Sequence, residues 1–247
     1  MSEDREFDRD NQKKIKKMGK DQEFLKISKK WFLKSVEHEY SYHFTWLGRP
    51  IIQYPQDILA MQEIIWKVKP DVIIETGIAR GGSLILSASI LELIGKGQVI
   101  GIDIDLRKKN KNAIKKHSMA KRIKTIEGSS IDQAVIKKVR KIIGKRKKIL
   151  VFLDSNHTYE HVAKELEIYS EFVKKGSYLV VFDTVIDDLP DDDNLGKAKR
   201  PWDKKNNPKI AVKEFLKNNK RFIVDEMFDS KLMLSVGPSG YLFCVKS

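Results

Sequence analysis

Residues 72–93 read VIIETGIARGGSLILSASILEL, which is a short β-branched run, a glycine-rich turn and an apolar helix in direct succession. The run Val72–Ile74 predicts a buried strand, and Leu84–Leu93 predicts a helix. The glycines between them let the backbone approach a ligand closely, and the free N–H groups at the helix start favour an anionic group. The turn Glu75–Ser83 is therefore a candidate ligand-binding loop, although a purely structural turn has the same features.

The same alternation of short apolar runs and helices continues through the rest of the chain. Strands that alternate with helices of about 10–15 residues are typical of βαβ units in a parallel sheet. Strands are predicted at 72–74, 99–102, 123–126, 149–153, 178–182, 222–225 and 241–246, with a further short run at 232–235. Helices are predicted at 55–68, 84–93, 108–119, 131–143, 159–172 and 208–216. The sequence therefore predicts an α/β domain with a mostly parallel sheet.

The chain divides into an N-terminal arm and one larger domain. Residues 1–45 form this arm. The first 22 of them are polar and indicate a loose arm or a frayed helix, and the apolar residues that follow have helical spacing. Residues 46–247 carry the strand and helix pattern and form the predicted domain. Within it, the polar segment 184–207 breaks the pattern, and loops of this length serve as lids or flexible insertions. The aromatic residues between 38 and 54 are compatible with either the core or a lid over a pocket.

The composition favours a folded intracellular protein. Of the 247 residues, 41% are hydrophobic, which is enough for a core. The single cysteine, Cys244, lies in an apolar run and excludes an internal disulfide and a cysteine-based zinc cluster. No apolar stretch approaches the roughly 20 residues that a membrane span needs, and the charged N-terminal region lacks the apolar core of a signal peptide. We therefore expect a soluble, cytoplasmic protein.

The net charge of +14, from 48 lysines and arginines against 34 acidic residues, raises the question of an anionic partner. Most of the excess is lysine, and it is spread along the chain rather than gathered in one stretch. Scattered lysines are more typical of a solvated surface than of a nucleic-acid-binding stripe. The sequence thus disfavours nucleic acid as a partner, while a polyanion or an acidic membrane surface stays open as an alternative.

Acidic and small polar residues follow the second and third predicted strands. Asp103 stands at the end of the second strand, where an acid binds the two hydroxyls of a nucleoside ribose. The alternative is a helix N-cap, for which Asp105 is the better candidate. Ser129 and Ser130 follow the third strand at the same edge and can border an adenine, although a helix cap by Ser130 is the competing interpretation. These positions together indicate a nucleoside-binding crevice.

Two carboxylates follow the predicted fourth and fifth strands. Asp154 and Asp183 each stand just past the carboxyl end of a strand, so a parallel arrangement brings them together. Two close carboxylates repel each other, and a hard divalent cation such as Mg²⁺ relieves that repulsion. His157 lies on the same rim and is the candidate general base. In the competing interpretation both aspartates cap loops and His157 is a surface side chain.

From about Trp46 to Lys246 the chain resembles the cephalosporin hydroxylase / rhamnosyl O-methyltransferase family. The stretches that carry this resemblance are Trp46–Pro50, Lys69–Gly77, Arg80–Ser83, Gly101–Asp105, Asp154–His157 and Gly240–Leu242. The resemblance implies a Rossmann-like class I methyltransferase fold, with a seven-stranded sheet and helices on both faces. It also implies S-adenosylmethionine as cofactor, Mg²⁺ in the active site and a homo-oligomeric assembly.

More distantly, the core is similar to catechol O-methyltransferases, and this likeness implies roles for individual residues. It implies Asp154 and Asp183 as metal ligands, with Asp103 on the ribose. Ser83 would lie near the methionine carboxylate and Ser130 near the adenine, and His157 falls where those enzymes keep a catalytic lysine. The full set expected at the cofactor is Glu75, Gly77, Ala79, Arg80, Gly81, Ser83, Asp103, Ser129, Ser130 and Asp154.

One residue departs from the family pattern. The nearer family commonly has Glu-Asp-Thr after the fifth strand, whereas this chain has Phe182, Asp183 and Thr184. A phenylalanine offers no oxygen to a hard cation, so the third ligand is expected to be Thr184 or water. The predicted metal set is therefore Asp154, Asp183 and Thr184.

Taken together, these features predict an S-adenosylmethionine-dependent, Mg²⁺-assisted O-methyltransferase with Asp154 and His157 as catalytic residues. Its acceptor would be a hydroxyl of a sugar or another small molecule. A nucleic-acid methyltransferase on the same fold is the first alternative, weakened because the chain has no Asn-Pro-Pro-Tyr-type motif. A cofactor-binding scaffold that has lost its chemistry is the second, and Phe182 is its best argument. The glycine spacing disfavours a nicotinamide-dependent enzyme.

Overall fold

Two helices and a small hairpin precede the main sheet. The structure is a computed structural model that describes residues 3–190 and 200–246. Its N-terminal elements are α1 (Glu3–Met18), α2 (Gln22–Glu37), a 3-10 helix (Tyr40–His43), β1 (Phe44–Trp46) and β2 (Arg49–Ile51). Strands β1 and β2 pair in antiparallel fashion and form a sheet of their own.

Strands and helices alternate through the rest of the chain, as the hydrophobic pattern predicts. These elements are α3 (Pro55–Val68), β3 (Val72–Thr76), α4 (Gly82–Ile94), β4 (Gln98–Asp103), α5 (Lys108–Lys116), β5 (Ile123–Glu127), α6 (Gln133–Ile143), β6 (Ile149–Leu153), α7 (Tyr159–Ser170), β7 (Tyr178–Val181), α8 (Pro208–Asn218), β8 (Phe222–Val224), α9 (Glu226–Leu232) and β9 (Tyr241–Cys244). Short 3-10 helices also cover Ser118–Arg122 and Thr184–Asp188.

The main sheet has seven strands in the order β5-β4-β3-β6-β7-β9-β8. Strands β3 to β7 pair in parallel, and β9 runs antiparallel to both of its neighbours. Side chains alternate across each strand, so every strand of the main sheet except the edge strand β8 contributes to two hydrophobic cores. One core holds Ile73 with residues of α3 and α4, and the other holds Ile74 with residues of α6 and α7. The predicted fold, a mostly parallel seven-stranded sheet with helices on both faces, is confirmed.

The topology places the loops that follow the five parallel strands β3 to β7 at one edge of the sheet. Chain order runs outward from β3 through β4 to β5 on one side, and from β6 to β7 on the other. The junction between β3 and β6 is therefore the topological switch point, where open α/β sheets bind ligands beyond the carboxyl ends of their strands. Thr76, the last residue of β3, pairs with Leu153, the last residue of β6. The loops that begin at Gly77 and Asp154 consequently start side by side.

Two sequence predictions outside this edge need correction. The run at 232–235 is not a strand: Leu232 ends helix α9, and residues 233–235 form bends and turns. The helix predicted at 108–119 ends at Lys116, after which the chain continues in a 3-10 helix. Both segments contain apolar residues that pack on the core, so apolar content alone did not identify their backbone conformation.

The N-terminal arm is helical and lies against the domain. Helix α1 has no buried residue, but it packs against α9, and a methyl group added at Gly19 would lie 2.3 Å from the Ser230 hydroxyl. Most of the aromatic stretch that follows α2 packs on the core, including Tyr40, Phe44 and Trp46, whereas Tyr42 is exposed. Tyr54 is 2% exposed, stacks on Phe32 and shares a hydrogen bond of 2.6 Å with the Ser35 hydroxyl. The aromatic residues thus hold α2 on the domain.

The polar segment 184–207 lies only partly within the described residues, because 191–199 fall outside them. Its described acidic side chains bind lysines of α8: Asp187 pairs with Lys213 at 3.0 Å and Asp188 with Lys209 at 2.5 Å. This agrees with a solvated, locally neutralised loop rather than a metal cage at these two positions. The role of the segment as a lid stays a prediction.

Candidate active site

The loop between β3 and α4 is held on both sides by side chains. The Asp103 carboxylate accepts hydrogen bonds from the backbone N–H groups of Ile78 and Ala79, at 2.8 and 3.2 Å. Asn110 donates to the carbonyl of Ala79 at 2.8 Å, and Arg49 donates to the carbonyl of Arg80 at 3.2 Å. Ala79 has a φ of +46°, a left-handed conformation that a side chain rarely adopts without such support. The loop is thus fixed before any ligand arrives.

Glu75 lies beneath this loop, at the end of β3, and is 2% exposed. The Ser83 hydroxyl donates a hydrogen bond to its Oε1, while its Oε2 is buried and has no hydrogen-bond partner among the described residues. Burial raises the pKa of Glu75 to about 8, and the Ser83 bond only partly offsets this. A buried acceptor without a donor is costly, so this oxygen suits a ligand that brings a donor or a positive charge.

The raised pKa of Glu75 predicts a pH dependence of stability. Between the ordinary carboxyl pKa of 4.5 and about 8, the folded protein keeps a proton that the unfolded chain releases. The free energy of unfolding should therefore fall as the pH rises through this window and level off above it. Glu75→Gln lacks this contribution, so between pH 5 and pH 8 its stability should fall less than that of the wild type, by on the order of 3 kcal/mol. Urea unfolding of the two metal-free and cofactor-free proteins at both pH values measures the difference, and parallel pH profiles would refute it.

The acid at the end of β4 and the serines after β5 border the same crevice. Asp103 is half-buried and Asp105 is exposed; neither caps α5, whose N-cap is Arg107 without a side-chain hydrogen bond. Ser130 does not cap α6 either, because Asp132 is the N-cap and accepts from the N–H of Ala134 at 2.9 Å. The two capping alternatives weighed from the sequence are thus wrong.

Ser130 is fixed by helix α7. Its hydroxyl shares a hydrogen bond of 2.9 Å with Nε2 of His161, and the Tyr169 hydroxyl donates to its carbonyl at 2.7 Å. His161 in turn lies 3.5 Å from the buried carboxylate of Glu165. Ser129 next to it is half-buried and forms the more open part of this side of the crevice.

Asp154 and Asp183 meet at the ends of β6 and β7, as the parallel topology requires. Burial of its carboxyl group, followed by repulsion from Asp183, raises the pKa of Asp154 well above its usual range. Gln53, which is 3% exposed, donates to Oδ2 of Asp154 at 3.0 Å. Asp183 has a φ of +56°, a left-handed conformation for a residue with a side chain. Within the described residues, no lysine or arginine forms an ion pair with Glu75, Asp154 or Asp183, so no lysine or arginine offsets these acids in the crevice.

His157 completes this group, whereas Thr184 does not join it. One candidate ligand atom from each of Asp154, His157 and Asp183 lies within 4.8 Å of the other two, and His157 Nδ1 is 3.3 Å from Asp183 Oδ2. Thr184 is fully buried and donates its hydroxyl hydrogen to the carbonyl of Pro238 at 2.7 Å. The structure therefore brings His157, rather than the predicted Thr184, to the two carboxylates.

Three residues of this site were not found from the sequence. Arg49, Gln53 and Asn110 are distant in the chain from the residues that they contact. Arg49 lies in one of the stretches that carried the family resemblance, which was the one available signal. Gln53 and Asn110 stand in segments without any recognisable motif.

A second cavity, of about 570 Å³, lies at the opposite edge of the sheet. Its lining includes Lys96, Lys121 and Arg122. Lys96 pairs with Asp71 at 2.9 Å, and the other two cations share Glu92. Arg146, the fourth cation of the lining, donates to the carbonyls of Ile142 and Ile143. Because three of the four cations already have a carboxylate partner, this cavity adds little support for a nucleic-acid partner.

The strand order, the glycine-rich loop after β3 and the acid after β4 define a class I methyltransferase fold. The sequence profile of the Rhamnosyl O-methyltransferase/CmcI family matches residues 38–245, and the chain belongs to this family. Among residues 3–190 and 200–246, none of the helices combines the length and the apolar character that a bilayer crossing requires.

Relatives and solved structures agree with this assignment. The rhamnosyl O-methyltransferase of Mycobacterium bovis (strain BCG / Pasteur 1173P2) is 28% identical over 148 residues, which cover 59% of each chain. That of Mycobacterium leprae (strain TN) is also 28% identical over 148 residues, 59% of this chain and 62% of its own. The chain therefore spans about three fifths of the length of these curated relatives.

Solved structures show the same fold at low sequence identity. The apo structure of CmcI has a TM-score of 0.58 at 17% identity and covers 83% of this chain and 78% of CmcI. A CmcI structure described with Mg and SAM has a TM-score of 0.57 at 18% identity, covering 83% and 77%. A putative caffeoyl-CoA O-methyltransferase from Staphylococcus aureus has a TM-score of 0.54 at 17% identity, covering 69% and 77%.

Proposed function

We propose that this protein is an S-adenosylmethionine-dependent O-methyltransferase that uses a divalent cation and methylates a hydroxyl of a sugar or another small molecule. The observation that carries the proposal is the acidic crevice at the switch point, where a fixed glycine-rich loop, Asp103 and the Asp154–Asp183 pair share one edge of the sheet. S-adenosylmethionine carries a sulfonium and an ammonium, and a site with uncompensated carboxylates suits both charges.

The cofactor would lie across the ends of β3, β4 and β5. Oδ1 of Asp103 takes no part in the loop bonds made by Oδ2 and would accept from the ribose hydroxyls, although it now accepts from the N–H of Asp105 at 3.0 Å. The unpartnered oxygen of Glu75 would accept from the methionine ammonium. Ser130, held by His161, would border the adenine. Ala79, Arg80, Gly81 and Ser129 would line the cofactor between these groups.

Asp154 and Asp183 would hold the cation and, with it, the acceptor hydroxyl. The donor chemistry fits, because burial and the neighbouring Asp183 carboxylate raise the pKa of Asp154, and a divalent cation removes the repulsion between the two groups. A bound cation lowers the pKa of a hydroxyl beside it, which eases loss of the proton during methyl transfer. The residues' own task is to align the acceptor oxygen with the activated methyl group and to receive the proton. The sequence indicates His157 as the residue that would receive the proton.

The acceptor would enter beside Trp202. The indole lies edge-on to the His157 ring, with 6.0 Å between the ring centroids, and the Arg200 guanidinium covers its ring at 4.7 Å. An aromatic face next to a catalytic rim gives the apolar face of a sugar a surface to pack on. The family name and the mycobacterial relatives support a sugar hydroxyl as acceptor.

Calorimetry with S-adenosylhomocysteine tests the cofactor part of the proposal. Asp103→Ala removes the acceptor proposed for the ribose and, with it, the acceptor for the N–H groups of the glycine-rich loop. The affinity of this variant for S-adenosylhomocysteine should therefore fall by at least about thirtyfold. Asp105→Ala, an exposed acid on the same turn, is the matched control and should stay within about threefold of the wild type. No binding by the wild type, or equal binding by the two variants, contradicts the nucleoside assignment.

A further inference from the structure

A histidine lies beside the two carboxylates that would hold the cation. Two of its possible ligands are carboxylates, and the third is the imidazole of His157, whose Nδ1 faces Asp183 Oδ2 at 3.3 Å. The imidazole is only partly exposed, and the ring of Trp202 packs edge-on against it. It is therefore held toward the two carboxylates rather than free to turn into solvent.

The residue before Asp183, where the family pattern has a glutamate, is a phenylalanine whose side chain is buried in the core. Phe182, directly before Asp183, is 2% exposed. Its ring stacks on Phe152 at 6.1 Å and meets Tyr241 edge-on at 6.4 Å. No oxygen can reach the cation from this side chain. The described protein groups at the carboxylate pair are thus one nitrogen and the oxygens of two aspartates, with the amide of Gln53 beside them.

Gln53 adds a second observation at the carboxylate pair, a buried oxygen that lacks a donor among the described residues. It is 3% exposed and donates its Nε2 hydrogen to Asp154, but its Oε1 is buried without a hydrogen-bond partner among the described residues. A buried amide oxygen without a donor is destabilising by itself. A water molecule on a cation at the neighbouring carboxylates would supply that donor.

Resting on the proposed function, we propose that His157 is the third protein ligand of the cation and that the site prefers a first-row transition ion such as Mn²⁺ or Co²⁺ to Mg²⁺. Mg²⁺ selects oxygen ligands, whereas imidazole favours first-row transition ions. A nitrogen that binds the cation is not free to accept a proton, so this assignment replaces the base role of His157. The cation and its carboxylates would then lower the hydroxyl pKa without a histidine base.

Metal binding by the full-length, metal-stripped protein tests the inference without any turnover assay. Calorimetry with MnCl₂ and with MgCl₂ should show Mn²⁺ binding at least about tenfold more tightly to the wild type. His157→Asp converts the site to oxygen ligands only and should bring the two affinities within about threefold. The visible spectrum of the Co²⁺-loaded protein should change in this variant as well, because a nitrogen ligand is lost.

Two controls separate this inference from the proposal beneath it. His38→Asp removes an exposed imidazole far from the site along the chain and should leave the Mn²⁺ preference unchanged. If Asp154→Asn weakens both ions while His157→Asp changes neither the preference nor the Co²⁺ spectrum, the ligand role of His157 is overturned and the carboxylate site stands. If the wild type binds S-adenosylhomocysteine but none of these ions, the metal part of the proposed function fails, and this inference fails with it.

Discussion

Replacing Asp154 with asparagine should lower turnover at least about a thousandfold while S-adenosylhomocysteine binds within about threefold of the wild type. Among the described residues, Asp154 and Asp183 are the two carboxylates of the cluster that they form with His157, and the carboxyl group of Asp154 is the more strongly buried of the two. Asparagine keeps the shape of the side chain and an oxygen for Gln53, but it removes the charge that holds a cation. The loss should therefore fall on chemistry rather than on the cofactor.

Single-turnover assays and calorimetry on the same preparation separate these two effects. Thermal unfolding of the metal-free variant provides a check on folding. Since asparagine relieves the repulsion between Asp154 and Asp183, the variant should be at least as stable as the wild type above neutral pH. Full activity of the variant in excess EDTA would eliminate the metal role. A loss of cofactor affinity as large as the loss of turnover would place Asp154 in the cofactor site instead.

The sequence predicted the fold well because the features that determine this fold are local. Each parallel strand is a β-branched or apolar run, such as Val72–Ile74, followed within a few residues by a helix. Parallel topology then forces the ends of such strands to one edge. For this reason the sequence alone predicts that Asp154 and Asp183 lie close together, and that Asp103 lies beside the glycine-rich loop.

The remaining parts of the site depend on contacts between distant segments. Gln53 reaches Asp154, and Asn110 reaches the carbonyl of Ala79, from segments with no motif of their own. Arg49 reaches the carbonyl of Arg80 from a stretch whose resemblance to the family gave no hint of this contact. The choice between His157 and Thr184 depends on side-chain direction, which the left-handed backbone of Asp183 sets. No periodicity or spacing encodes that direction. The cytoplasmic location and the homo-oligomeric assembly stay predictions.

Replacing Gly77 with alanine should destabilise the fold by about 3–5 kcal/mol and remove measurable cofactor binding. Gly77 has a φ of +86°, and a methyl group there would lie 1.8 Å from the carbonyl oxygen of Asp154. Neither chain can move away easily. The Gly77 N–H donates to the carbonyl of Ile102 at 2.8 Å, and the Asp154 N–H donates to the carbonyl of Thr76 at 3.0 Å. A methyl group must therefore push β3 and β6 apart at the switch point.

Gly95→Ala separates this collision from simple backbone strain. Gly95 has nearly the same φ, +85°, but a methyl group there meets nothing within 4 Å. Gly95→Ala should lower the free energy of unfolding by only about 1–2 kcal/mol, because alanine in the left-handed conformation is strained, and it should leave the affinity for S-adenosylhomocysteine unchanged. Urea unfolding and calorimetry of the two variants give the comparison. Equal destabilisation by both substitutions would mean that β3 and β6 accommodate the methyl group, and close approach at the switch point would no longer explain this glycine.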